Sequence, residues 1–414
     1  MRLQLTRARA LPIAPAIAAA TLALGARQAS LHAQGAEIDL AGTLFHEGGG
    51  PLQTTVIAPS ARFSVDPIPE LTIRGGWDAD IVSGASVAVV DAPASDVDAI
   101  STATQYFDFR NVFAGGAELR SQFGSLRAGY SYGFENDYRS HALTLGARAE
   151  MFQRNTTIDL AYARGWDSVC DVFQPRNQAP VERRRLAAST GCFGGSTELT
   201  ARDVGIHTFQ GAWTQAWTPV LTTQLTLTAQ LVDGFQSNPY RAVWLGRSAA
   251  QEHHPEHRAR YAAGLAVRLW LEPLSGAIQA SGRIYRDTWD VMSVTGELAY
   301  EQVIDGSLRI RIRSRYYSQT GAAFFSDDYA LAPRGQYFTG DRELSPMWNV
   351  LLGGQIGYRI RAGAEGASVG LFRELALLLK GDWIHHDFTQ FRYGRRTVPN
   401  VDALVWTLSL EASF

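Results

Sequence analysis

The sequence predicts an all-β fold: a transmembrane antiparallel β-barrel of about sixteen strands, with short periplasmic turns and long extracellular loops. Three observations predict it. The N-terminus is laid out for export, apolar and polar residues alternate over long runs, and the connections alternate between short and long.

Arg2, Arg7 and Arg9 give the chain a basic start, Ala10 to Leu24 is apolar, and small and polar residues follow. This is the layout of a cleavable export signal, which assigns 1–33 to a signal peptide and 34–414 to the barrel. Cleavage after Ala33 leaves Leu31 at the minus-three position, a mediocre fit. No cysteine stands near that point, which argues against a lipid anchor. The apolar stretch is short for a membrane helix, and no other segment approaches the roughly 18 uninterrupted apolar residues such a helix needs. A chain of this kind can live in a membrane only by satisfying its backbone between the strands of a closed barrel.

Composition agrees. Hydrophobic residues make up 46% of the chain, yet the mean hydropathy is −0.11. Apolar residues are plentiful but dispersed, as strands with one lipid face and one watery face require. A net charge of −2 and the lack of a long Lys/Arg run exclude a dedicated nucleic-acid binder.

Alternation is clearest at the C-terminus. Leu404, Trp406, Leu408, Leu410, Ala412 and Phe414 fall on one face, with Thr407, Ser409, Glu411 and Ser413 on the other. Period two is the strand period. A last strand ending in Phe414 resembles the signal read by the barrel-assembly machinery, which makes that machinery an expected partner beside outer-membrane lipid. The same alternation runs through Leu71–Ile81, Leu126–Phe134, Leu143–Glu150, Leu221–Leu231 and Trp348–Arg359. These runs exceed the five or six residues of an average soluble strand.

Short turns are expected at Asp66–Glu70, Gly124-Ser125, Arg154-Asn155, Thr218-Pro219, Glu272-Pro273 and Asp305-Gly306. Long connections are expected over 83–108, 168–202, 233–257, 318–344 and 386–400. An even strand number puts both ends of the barrel sheet in the periplasm.

Several segments resemble a known family. They are Ser83-Gly84-Ala85-Ser86-Val87, Arg164-Gly165-Trp166-Asp167, Asn238-Pro239-Tyr240-Arg241, Arg286-Asp287-Thr288-Trp289, Arg315-Tyr316-Tyr317-Ser318-Gln319-Thr320 and Asp341-Arg342-Glu343-Leu344-Ser345. Together they are similar to a domain-of-unknown-function family of outer-membrane barrels in Gram-negative bacteria. The resemblance spans nearly the whole mature chain and implies the barrel fold, with no agreed activity to carry over. The family's gene context, beside thiol-redox and flavin-transfer proteins, implies periplasmic redox or metal chemistry nearby. The loop holding Cys170 and Cys192 departs from the family.

Candidate functional residues follow from where charge can go. Arg309, Arg311, Arg313 and Arg315 alternate with Leu308, Ile310 and Ile312, so all four share one face. A lipid-facing arginine near the bilayer midplane costs about 2–4 kcal/mol, so the row is expected in the lumen. It reads either as an anion-attracting wall or as a salt network with Asp78, Asp80, Asp159, Glu297 or Glu301. The loop over 83–108 is apolar, with Val87, Val89 and Val90 beside Asp91, Asp96 and Asp98. It could fold inward as a constriction, cover the barrel mouth, or meet a partner. Cys170 and Cys192 are the two cysteines, and in an exported protein a pair at loop spacing favours a disulfide.

His253-His254-Pro255-Glu256-His257 contains H-x-x-E-H, a zinc-protease pattern that needs a helix. Pro255 argues against the helix. These histidines, with His385 and His386, remain candidates for a weak metal site, against the plainer reading of rim residues in water. No nucleophile constellation, Gly-rich phosphate loop or C-x-x-C is present, so neither enzyme nor cofactor is expected. Two readings stay open: a passive diffusion channel with an arginine-lined lumen, or a plugged barrel that partners a periplasmic or surface protein.

Overall fold

Apolar residues turn outward on strand after strand, and the backbone closes on itself around them. In the computed structural model the described residues are 35–48, 54–84, 106–175, 177–186, 193, 198–245, 249–326, 329, 334–361, 372–388, 391–393, 396–397 and 400–414. The expected export signal, the acids Asp91, Asp96 and Asp98, and Cys192 lie outside them.

The strands are β1 (Gly35–Gly48), β2 (Thr54–Ile68), β3 (Leu71–Gly84), β4 (Tyr106–Ser121), β5 (Gly124–Phe134), β6 (Tyr138–Met151) and β7 (Thr156–Val172). Then come β8 (Leu199–Ala216), β9 (Leu221–Gly234), β10 (Ala242–Trp244), β11 (Ala249–Gln251), β12 (His257–Leu271) and β13 (Gly276–Asp287). The last are β14 (Met292–Ile304), β15 (Leu308–Gln319), β16 (Met347–Arg361), β17 (Glu374–Asp387), β18 (Arg392–Tyr393), β19 (Arg396–Thr397) and β20 (Val401–Ser413). Sixteen of them form one closed antiparallel barrel, while β10–β11 and β18–β19 are small hairpins in the connections. Each barrel strand pairs with its neighbour in the chain, and β20 returns to pair with β1, Leu410 opposite Leu40. The Phe414 N–H donates to the Ala36 carbonyl at 2.9 Å at the seam.

Barrel strands run from 11 residues in β5 to 18 in β8. A tilted strand crosses the hydrocarbon in about 9–11 residues, so the longest project beyond it. Leu126, Leu145, Leu160, Leu227, Leu265, Leu298, Ile312, Leu352 and Leu408 are all more than a third exposed, and they circle the outer wall. An apolar surface of that extent faces lipid, not water. The molecule is an outer-membrane β-barrel.

Turn chemistry holds the inner end. Asp305 and Gly306 both take positive φ, 50° and 69°, the conformation Asp-Gly adopts with least strain in a hairpin. Three expectations shift. Asp66, Pro67 and Ile68 close β2, and the turn there is 69–70. Gly124 and Ser125 open β5, and the turn is 122–123. The alternation of short and long connections is incomplete: the outer connections 135–137 and 288–291 are tight, and the inner 362–373 is long. At 288–291 the Asp287 carboxylate accepts the N–H groups of Trp289 (2.9 Å) and Val291 (3.0 Å), which closes the turn locally.

This topology is checked by cysteine substitution at Asp290 and Asp305 with a membrane-impermeant maleimide on intact cells. Asp290→Cys should label and Asp305→Cys should not; labelling at both positions contradicts the inside-outside assignment.

Candidate functional site: a charged lumen beneath a loop cap

On β15, Ile312 and Tyr316 are exposed on the outer wall (59% and 49%), and Arg309, Arg311, Arg313 and Arg315 lie on the opposite face of the strand. Arg313 meets Asp382 through two hydrogen bonds, Nε–Oδ1 at 3.1 Å and Nη2–Oδ2 at 2.8 Å. The two belong to β15 and β17, with β16 between them. The reach is possible because Gly353, the register partner of both, has no side chain; a Cβ there would lie 1.9 Å from Asp382 Oδ1. Lys380 joins the same carboxylate at 3.1 Å. Glu297 on β14 stands 3.6 Å from Arg311 and 3.8 Å from Arg313. Arg283, Arg315, Tyr317, Asn349 and His386 help line a cavity of about 450 Å³ at this level.

Nearer the inner end a second cavity of about 790 Å³ is bordered by Glu37, Asp39, Arg62, Arg74, Asp78 and Arg359. Asp78 pairs with Arg62 at 3.0 Å, and the two side chains stay 39% and 55% exposed. Asp80 points the same way, its register partner being Arg110. Arg127 binds Asp159 at 2.7 Å, and Arg268 lies 3.6 Å from Glu301. Of the acids expected to oppose the arginine row, Glu297 does so; Asp78, Asp159 and Glu301 serve other bases. The sequence pattern alone does not single out Asp382 and Lys380, although the run Leu377, Leu379, Gly381, Trp383 places both on the opposite face.

Above the lumen the long connections interlock. Asp171, at the outer end of β7, accepts from Gln251 (2.9 Å) and pairs with Arg183 (3.2 Å). Gln251 ends the β10–β11 hairpin, and the next residue, Glu252, is fully buried. Glu252 accepts from the Asn238 N–H (2.7 Å) and Thr339 Oγ1 (2.8 Å), and it faces Arg241 at 3.4 Å. Arg241 also pairs with Asp341. Beside Asp341, Arg342 reaches Glu47 at the outer end of β1 (2.9 Å). A line of buried charge thus runs from the wall at β7 to the wall at β1 and ties three connections into a cap. Burial pushes the Glu252 carboxyl up, but His254 and Arg241 outweigh it and bring it down to about 2. Below the cap Arg258 lies over the Trp289 ring at 3.9 Å and pairs with Asp287.

The histidines do not gather. His253 exchanges backbone hydrogen bonds with Phe338, at 2.9 and 3.0 Å, and burial lowers its imidazole pKa. His254 turns to Glu252 and the Gln236 carbonyl, while exposed His257 meets Asp233 at 2.6 Å. No helix forms through Pro255. His385 pairs with Asp402 at 2.8 Å, and His386 on the other face is buried in the lumen. No cluster of three metal-ligating side chains occurs among the described residues. Cys170 is fully buried against Leu186 and Tyr240.

A family model described as "Protein of unknown function (DUF3570)" matches residues 8–371. No curated protein matches the chain. Among solved structures, the chain is similar to a bacterial polysaccharide outer membrane secretin, at 10% identity over 92% of this chain and 98% of that one, with a TM-score of 0.48. It is also similar to the outer membrane protein OprD from Pseudomonas aeruginosa, at 8% identity over 92% and 94% of the two chains, with a TM-score of 0.40. Pseudomonas aeruginosa OccK2 matches at 10% identity over 92% and 98%, with a TM-score of 0.40.

The cap should depend on Glu252. Removing one member of a buried charge pair costs about 3–5 kcal/mol, so Glu252→Gln should lower hydrogen-exchange protection of 238–245, 249–254 and 338–345 by at least about a hundredfold. The barrel strands should keep theirs. Because the folded pKa is depressed, the stabilisation is present above the usual carboxylate pKa. It is lost as pH falls from about 4.5 toward about 2. The wild type should loosen in that window, and the Gln variant should lack that step.

Proposed function

We propose, on the premise that the chain belongs to the DUF3570 family of unknown function, that this outer-membrane barrel is a passive diffusion channel for small polar solutes. One observation carries the reading. Several charged side chains that face inward near the inner end stay half exposed: Arg62 is 55% exposed, Arg74 50% and Glu411 51%. Side chains this wet border water, so the inner lumen is an aqueous space. On the arc from β14 to β17, Arg309, Arg311, Arg313, Arg315 and Lys380 share the inner face with Glu297, Glu301 and Asp382, which leaves positive charge in excess there. A low-dielectric wall focuses such a field and favours anions.

The buried line of charge in the cap favours a second reading, a barrel closed on the outside that serves as the membrane anchor of a partner protein. Neither reading uses a catalytic group or a cofactor. Residues 1–33 act as the export signal, and the last strand hands the chain to the barrel-assembly machinery. Cys170 pairs with Cys192, a reading supported by its complete burial and by the lack of free cysteines among the described residues.

Single-channel recording in a planar bilayer tests this. The wild type should conduct with anions preferred. Changing Arg309, Arg311 and Arg315 to Gln, with the Arg313–Asp382 pair kept, should shift the anion-to-cation ratio toward cations by about twofold or more. A ratio that does not move would make the row structural. A folded barrel that never conducts would favour the closed anchor.

A further inference from the structure

Polar side chains on the lipid face of a barrel need an explanation, and one group of them has a common geometry. On β7, Leu160 and Trp166 face lipid (56% and 45% exposed), so Arg164 between them does too. Its register partners are Leu143 on β6 and His207 on β8. Arg164 makes no hydrogen bond or ion pair with any described residue, and its ring contact is with Trp166, 6.0 Å from the centroid. The guanidinium lies across Gly205, where a Cβ would come 3.2 Å from Nη1. Gly205 is the register partner of Trp166, so the group leans toward the outer end of the strand, as a snorkelling arginine does.

Two histidines flank it on the same outer face. The Nδ1 of His207 is engaged by the Tyr162 hydroxyl at 2.9 Å, and that of His141 by the Tyr130 hydroxyl at 2.6 Å. In each ring Nε2 is left as the outer polar atom. Tyr132 lies tilted against His141 at 4.8 Å between ring centroids, and Phe209 lies tilted against Tyr162 at 5.0 Å.

Height identifies the surroundings. Trp217 marks the inner turn after β8, and His207 stands ten positions further up. At about 3.4 Å per residue and a tilt near 40°, that climb is roughly 26 Å, the height of the apolar band. Arg164 and His207 therefore sit where hydrocarbon gives way to the headgroups of the outer leaflet. A cation there is tolerated when an anion meets it, and headgroup phosphate is the anion at that depth.

We propose that Arg164, with His207 and His141 and the aromatic side chains around them, forms a binding surface for a phosphorylated lipid headgroup of the outer leaflet. The guanidinium holds the phosphate oxygens, the imidazole Nε2 atoms offer further contacts, and the rings seat the body of the headgroup. The inference rests on the outer-membrane location and not on conduction, so a barrel that fails to conduct leaves it standing.

Native mass spectrometry of the detergent-purified full chain tests it. The probes are a bisphosphorylated acyl-glucosamine disaccharide lipid and the same lipid without its phosphates. The wild type should hold the phosphorylated form at least about tenfold more tightly, Arg164→Gln should remove that preference, and Arg164→Lys should keep part of it. Arg154→Gln at an inner turn should behave as wild type. Equal binding of the two lipids by the wild type, or an unchanged preference in Arg164→Gln, overturns the proposal. So does displacement of the lipid by millimolar inorganic phosphate, which would mark a free-anion site. If Arg164→Gln does not fold, as judged by heat-modifiable gel migration, the two-lipid comparison on the wild type decides.

Discussion

Every backbone N–H and carbonyl that crosses hydrocarbon must find a partner in the protein, and this constraint organises the molecule. The closed sheet meets it with a ladder between every neighbouring pair from β1 round to β20, irregular between β2 and β3, where the register shifts between Val65 and Ile68. Once the sheet is closed, each strand has one face in lipid and one in the lumen. Leucine, isoleucine and the aromatic residues then belong outside, and charge belongs within. The arginine row, the Arg62–Asp78 pair and the Arg127–Asp159 pair are all consequences of that division, whatever further use the protein makes of them.

The cap obeys a different rule. It has little apolar periodicity, and its order comes from a few buried ionic groups with complementary partners. Glu252 is satisfied by a backbone N–H, a hydroxyl and a guanidinium, and Arg241 is shared by two carboxylates. Burial of this kind is tolerable only when each group is paired, which makes the arrangement specific and unforgiving of single changes. Apolar side chains fill in around it, Phe338 with Val243 and Ala250, and Leu344 with Trp289 and Val291.

What the sequence discloses follows from this contrast. The outward face of Leu404–Leu410 is legible because period two is a local fact. The partner of Arg313 is not, since Asp382 is found only when the register across β16 and the bare Gly353 are known. The cap was legible only as unexplained segments. Asn238–Arg241 and Asp341–Ser345 stand out in the resemblance to other outer-membrane barrels, yet nothing in either stretch says that Arg241 and Asp341 meet. The pattern around His253 misdirects: Glu256 completes the motif, but the carboxylate that reaches His254 is Glu252.

The seam between β1 and β20 has a consequence for assembly. All other barrel pairings join successive barrel strands, and each can form with a modest loss of chain entropy. The seam joins residues as far apart as Thr43 and Thr407, whose hydroxyls lie 3.0 Å apart across 364 positions. Loop-closure entropy is concentrated in this one ladder. The hairpins can accumulate in order while the sheet is still an open ribbon, and a single late event converts ribbon to cylinder. Until then both free edges expose unpaired backbone and invite strands from other chains. The hazard of misassembly is confined to those two edges, and it ends when they find each other.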